Sequence, residues 1–163
     1  MKRILSLLLI GFSTFYATAC NFHGGFGLQI PSYPNLFTSI SNIAVASASE
    51  VIPAFEKPEA MLNWQLAQKM GSTKPDLDIT FYQAIEGHYS MISDASFRLF
   101  DNYPESRRPK AEDLMIMSEM SVFSAIVDQK ITVDQALNEK WIVVNGEQEA
   151  VEMVKEWLLS SLY

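Results

Sequence analysis

Leu114-Met115-Ile116-Met117 is the segment that says most about the architecture of this chain. Four consecutive apolar residues predict a central strand that is buried on both faces of a sheet. Downstream of it the sequence alternates between helix and strand. In order, we predict a helix capped by Ser121 over 122–127, a helix opened by the Thr132–Gln135 capping box, a strand at Trp141–Val144 and a final amphipathic helix over 147–162.

Upstream of Leu114, residues rich in β-branched and aromatic side chains predict three further strands. These strands are Ile79–Ile85, His88–Ile92 after a turn at Glu86-Gly87, and Ser96–Phe100. A helix is predicted before them at Ala60–Met70, with Gly71 as its stop and with an apolar face of Met61, Leu62, Leu66 and Met70. Together these elements predict an α+β fold, in which helices pack on a small mixed sheet of about five strands.

The domain organisation follows from composition. Residues 1–19 are predicted to be a signal peptide, 20–58 a flexible N-terminal arm and 59–163 the α+β domain. Five glycines and prolines between positions 24 and 34 indicate an extended lead-in. Within the arm, the Ala- and Ser-rich segment Ile43–Val51 is predicted to form a short helix.

The first 19 residues contain the three parts of a secretory signal in order. Lys2-Arg3 is a positive region, Ile4 to Phe15 is apolar, and Ala17-Thr18-Ala19 is an A-x-A cleavage site. The apolar run is short for a membrane span, which needs about 20 residues. The sequence therefore predicts export to the periplasm or to a lipid-anchored position in the cell envelope.

Cys20 is the one cysteine of the chain and directly follows the predicted cleavage site. Two forms of the mature terminus are open: a lipoprotein whose thiol carries the lipid, or a free N-terminal cysteine. A free Cys20 would offer a soft thiolate three residues before the imidazole of His23, and copper or zinc would suit that pair. His88 is a third candidate ligand, and Glu86 lies two residues before it, where its carboxylate could orient the imidazole.

The elements from residue 112 to the end resemble the last part of a sterol-carrier-protein-type domain. The matching pieces are Leu114–Met117, Val122–Asp128, Ile131–Leu137 with Ala136, Trp141–Gly146 followed by Glu147, and Ala150–Leu162. The resemblance implies a mixed sheet and helices that enclose an apolar ligand. The candidate lining residues are Ile85, Met91, Met117, Phe123 and Trp141, which would look the same in a simple core.

The layout of the whole chain also resembles uncharacterised exported proteins of Gram-negative bacteria. That layout is a Cys-x-x-His start at Cys20, a linker, and a Gly-His-aromatic stretch at Gly87. A further pattern is Met115-x-Met117-x-x-Met120. Thioethers can bind Cu(I) when exposed, and they fill cores when buried, so the exposure of the sulfurs distinguishes the two roles.

The charge excludes some partners. The formal net charge is −7, and it becomes about −9 once Lys2 and Arg3 are removed, so phosphate backbones should repel the chain. The sequence contains no nucleophile elbow, phosphate loop or zinc-protease helix. We therefore predict an exported, non-catalytic binding or accessory protein that takes an apolar small molecule or a metal ion. It would bind no nucleic acid and would meet a membrane only through a lipid on Cys20.

Overall fold

The computed structural model describes residues 32–92 and 109–163 of the 163-residue chain. These two ranges contain five α-helices: α1 Leu36–Ala48, α2 Glu59–Met70, α3 Met120–Val127, α4 Val133–Asn138 and α5 Gln148–Ser161. They also contain four strands: β1 Ile79–Gln83, β2 His88–Ile92, β3 Met115–Ser118 and β4 Val143–Asn145. The predicted α+β fold is confirmed. None of the described helices has the length and apolar character that crossing a membrane requires.

The four described strands form one mixed sheet in the order β2-β1-β3-β4. β1 and β2 are an antiparallel hairpin, β3 runs parallel to β1, and β4 runs antiparallel to β3. All four residues of β3 are buried, as expected for a central strand. The predicted strand Ser96–Phe100 lies outside the described residues.

The strand predicted at Trp141–Val144 begins later than expected, at Val143. Lys140 has a left-handed backbone with φ 58°, which ends α4. The amides of Trp141 and Ile142 then donate to the Ala136 carbonyl at 2.8 and 2.9 Å. Because these two amides close the helix, they are not available to the sheet.

The sheet separates two apolar clusters, since alternate residues of each strand point to opposite faces. On the main face, Phe81 and Ile116 pack against α2, α3 and α5 in the large core. Phe81 meets Phe123 of α3 edge to face, with ring centroids 5.5 Å apart. On the second face, Tyr82, Met115, Met117 and Val143 pack against Tyr33 and Leu36.

Helix α1 corrects the predicted arm. It begins at Leu36 instead of Ile43, and its Leu36, Ser39, Ile43 and Ala46 are buried at helical spacing. Ile43, Ala46 and the following Ile52 belong to the main core. The segment from 36 to 52 is therefore part of the folded domain, because its apolar stripe is covered by the rest of the chain.

Two details of the other helices also differ from expectation. Met61 is 51% exposed and does not share the buried face of Leu62, Leu66 and Met70. Helix α3 begins at Met120, so Ser121 is not its cap, and Glu119 takes the N-cap position without a side-chain cap bond. The predicted cap of α4 is present, with the Gln135 amide 3.0 Å from Thr132 Oγ1. α5 lies within the predicted range and buries Val154 and Leu158.

Candidate functional site

The five predicted lining residues do not come together. Phe123 and Trp141 are buried in the main core, whereas Met117 is buried on the second face of the sheet. Met91 is partly exposed on β2, in register with Thr80. Ile85 is 52% exposed and lies outside both apolar clusters. The physical reason is that β1 ends at Gln83, and the turn around Gly87 at φ 73° carries Ile85 away from the sheet.

The three methionines of the M-x-M-x-x-M pattern are all buried. Met115 and Met117 lie in the second-face cluster, while Met120 lies in the main core. Met117 Sδ is 3.8 Å from Asn145 Nδ2. Because the sulfurs are inside and on two sides of the sheet, these residues pack the fold and do not form a shared thioether site.

His88 is the one predicted metal ligand among the described residues, since Cys20 and His23 lie outside them. The structure brings His88 and Glu86 together, with 3.6 Å between Nδ1 and Oε2. The two side chains are 39% and 58% exposed. Within residues 32–92 and 109–163 no three His, Cys, Asp or Glu side chains are grouped so that they could hold a metal ion.

Glu119 is a buried acid that the sequence interpretation missed. It follows β3 directly and is 7% exposed. Its backbone continues into α3, while its carboxylate accepts hydrogen bonds from the amides of Ile85 and Glu86 in the β1–β2 turn. Burial raises the pKa of Glu119 to about 7, and the nearby Glu86 charge adds to the rise, while the two amide bonds lower it. The feature of the sequence that indicates this residue is its position, because Glu119 is an acid placed directly between a buried strand and a buried helix.

Three tyrosine rings pack together on the second face of the sheet. The rings of Tyr82 and Tyr89 lie parallel with centroids 4.5 Å apart, and Tyr33 meets Tyr82 edge-on at 5.5 Å. Tyr33 donates its hydroxyl to the Pro109 carbonyl at 2.9 Å and lies 3.2 Å from the Tyr89 hydroxyl. Burial raises the pKa of both Tyr82 and Tyr89, so these phenols stay neutral and act as packing groups.

The outward side of α1 is apolar and uncharged. We call it the α1 face, and its members are Phe37, Ser41, Ala44, Val45 and Ala48. The spacing of these residues places them opposite the buried stripe. Phe37 and Val45 are 64% and 67% exposed. No charged residue occurs between Pro31 and Ser49, which is unusual for a helix that faces water.

A shallow groove of about 410 Å³ lies between the loop before α2 and the end of α3. Lys57 crosses it to Asp128, with 2.7 Å between Nζ and Oδ1. Glu56 and Lys130 add further charge to its lining. An apolar ligand in this groove would remove charged side chains from water. Because that removal is costly, the groove does not suit an apolar ligand.

The chain was compared with protein-family models, curated proteins and solved structures, and none of them matches it. The resemblance of residues 112–163 to a sterol-carrier-type domain therefore stays a prediction. A function therefore has to be inferred from the geometry of the described residues.

Proposed function

We propose that this chain is a non-catalytic accessory protein that binds an apolar protein surface through the α1 face. One observation carries the proposal: a helix that is fixed to the fold on one side exposes an aromatic and a β-branched side chain on the other. The role extends the sequence prediction of a binding or accessory protein. It moves the binding surface from the core to the outside of the molecule.

The buried side of α1 supports this role, because it holds the helix against the rest of the fold. Leu36 and Ile43 are each 1% exposed, and the Asn42 side chain donates to the Glu139 carbonyl at 2.8 Å. The exposed positions are therefore presented in a fixed arrangement, which lowers the entropy lost on binding. Phe37 is the anchor of this arrangement, because aromatic residues are enriched at the centres of protein interfaces.

Charge also supports this surface. The chain has a net charge of −7, but the α1 face contributes no charge to it. A partner that covers this face therefore removes no ionised side chain of α1 from water, which is the costly part of burying a polar surface. Covering Phe37 and Val45 removes apolar area from water and gains about 25 cal/mol per Å².

The packing of the described residues gives less support to a ligand held inside. The sheet divides three of the five predicted lining residues between two clusters, and Phe81, Ile116, Met117 and Phe123 are each at most 2% exposed. Glu119, whose pKa is raised, already accepts hydrogen bonds from backbone amides. Binding at the surface instead uses side chains that the core packing leaves exposed, such as those of the α1 face.

The proposal is tested by site-specific photo-cross-linking in cells that make the full chain. A photoreactive residue at position 37 or 45 should give the same discrete adduct. The same residue at Glu156, an exposed charged position on α5, should not. Adducts of equal yield at all three positions, or none at 37 and 45, would contradict the proposal.

A matched pair of variants separates binding from stability. Phe37→Ser should abolish the adduct formed at position 45 without lowering the melting temperature, because Phe37 is mostly exposed. Met153→Ser on α5 is the control, since Met153 is also an exposed apolar residue, at 44%. Loss of the adduct in both variants would mean that α1 is not the specific surface.

A further inference from the structure

We propose that Glu119 is a proton-operated latch for the β1–β2 turn: its ionised carboxylate holds the amides of Ile85 and Glu86, and its protonation releases them. This turn is formed by residues 84–87, joins the two strands of the hairpin and shares no residue with the α1 face.

The geometry makes Glu119 the fixed partner of this turn. Its own backbone is held at the start of α3, where its carbonyl accepts from the amides of Val122 at 3.1 Å and Phe123 at 3.4 Å. The turn has two other backbone bonds, from Gly87 to the Gln83 carbonyl at 2.8 Å and from Ala84 to the Ser118 carbonyl at 3.0 Å. The amides of Ile85 and Glu86 donate instead to the side chain of Glu119.

The burial of Glu119 and the charges near it set the pH at which its carboxylate ionises. The pKa of Glu119 is raised to about 7, mainly by burial and in part by the like charge of the Glu86 carboxylate on the turn. Tyr82 faces it from β1 and is neutral, because burial raises its pKa as well. His88 of β2 faces Glu86 at 3.6 Å, whereas β3, α3 and β4 contain no ionisable side chain. Glu119 therefore changes charge near neutral pH.

Protonation changes the strength of the two bonds. An ionised carboxylate accepts amide hydrogen bonds about twice as strongly as a neutral group does. A protonated Glu119 has one oxygen that is now a hydroxyl donor, so it no longer serves both amides equally well. The turn is held tightly above neutral pH and opens more often below it, at the point of the hairpin where Ile85 is exposed.

The test uses the ¹⁵N-labelled full chain, with the backbone amides of Ile85 and Glu86 followed by NMR from pH 5 to pH 8.5. Both amide shifts should move together with a midpoint near 7. The hydrogen-exchange protection of these amides, corrected for the intrinsic pH dependence, should fall by about 5- to 10-fold on the acid side. A midpoint near the ordinary glutamate value of 4.5 would overturn the latch.

Two variants assign the titration to Glu119. In Glu119→Gln the two amide shifts should be independent of pH over the same range, and a transition that persists would overturn the proposal, because Glu86 or His88 would then cause it. Glu86→Gln keeps the latch residue and removes the neighbouring charge, so the midpoint should move to lower pH. This second variant also covers the case in which Glu119→Gln does not fold, because a transition that disappears in Glu86→Gln would assign the titration to Glu86 and overturn the latch.

Discussion

Three of the polar side chains inside the fold are satisfied to different degrees. Ser118 is fully buried and donates its hydroxyl to the Trp141 carbonyl at 2.8 Å. Glu119 is paired with two amides but keeps its charge at a cost. Ser39 is fully buried on α1, and its hydroxyl has no hydrogen-bond partner within the described residues. Burial alone therefore does not set the contribution of a polar group to stability. Its partners do.

Glu119 should make the whole fold more stable in mild acid than in mild base, because protonation removes a buried charge even though it weakens the two bonds to the turn. Its pKa is raised from 4.5 to about 7 on folding, so its stabilising contribution is complete below pH 4.5 and is lost as the pH rises through 7. From pH 8 to pH 5 this group alone should add about 2–3 kcal/mol to the free energy of unfolding. Urea denaturation of the wild type and Glu119→Gln at both pH values isolates it. The same pH dependence in both proteins would refute the assignment.

Replacing Ser39 by alanine should stabilise the protein. The change removes a hydroxyl that is buried without a partner, and alanine is the better helix former. We expect the free energy of unfolding to rise by about 1 kcal/mol. Ser118→Ala is the matched control and should lower it by about 1–3 kcal/mol, because the Trp141 carbonyl is left unpaired. A loss of stability in Ser39→Ala would show that its hydroxyl is bonded.

At the scale of the elements, the sequence predicted what periodicity and caps encode. β2 has the predicted bounds, and Thr132 caps α4 as its capping box predicted. The start of α1 was missed because Asn35 precedes it with a left-handed backbone and no side-chain cap. Its buried stripe also includes Ser39 and Ala46, which weakens the apolar pattern. The predicted start of β4 is too early because Trp141 and Ile142 belong to the turn that ends α4. That turn is a property of the backbone, and the apolar residues from Trp141 to Val144 do not indicate it.

Helix α1 should contribute to stability as a core element does. Ile43→Ala removes a side chain that is 1% exposed and part of the main core, so the free energy of unfolding should fall by about 2–5 kcal/mol. Val45→Ala is the control two residues away, at 67% exposure, and should change it by less than about 0.5 kcal/mol. Chemical denaturation measures both. Equal, small effects would mean that residues 36–48 behave as the flexible arm that composition predicted.

At the scale of the whole molecule, the position of the sheet explains why the candidate site was harder to predict than the fold. An apolar residue in a strand signals burial, but it does not say which face of the sheet it occupies. Met117 and Phe123 are both apolar candidates for one site, yet the sheet lies between their clusters. Glu119 is hard to predict for a different reason, since its role depends on a turn 34 residues away in sequence. The α1 face combines a signal visible in the sequence, the absence of charge, with one visible only in the structure, its exposure.

Export is the prediction that belongs to the whole chain. If residues 1–19 are a signal peptide, the protein recovered from the envelope of bacteria that express the full sequence should begin at Cys20. Intact-mass spectrometry of that protein measures the start directly. Retention of residues 1–19 on the envelope protein would contradict the prediction.

A matched variant tests the cleavage site, and the mass of the wild type distinguishes the two forms of Cys20. Ala19→Arg replaces the small residue at the cleavage site, so it should leave the unprocessed chain in the membrane fraction.

In the wild type, an acyl mass on Cys20 would identify a lipoprotein and remove the thiol as a metal ligand. An unmodified Cys20 would leave the thiolate available beside His23. Zinc or Cu(I) binding should then be lost in Cys20→Ser, and a loss in His88→Ala as well would identify His88 as a third ligand.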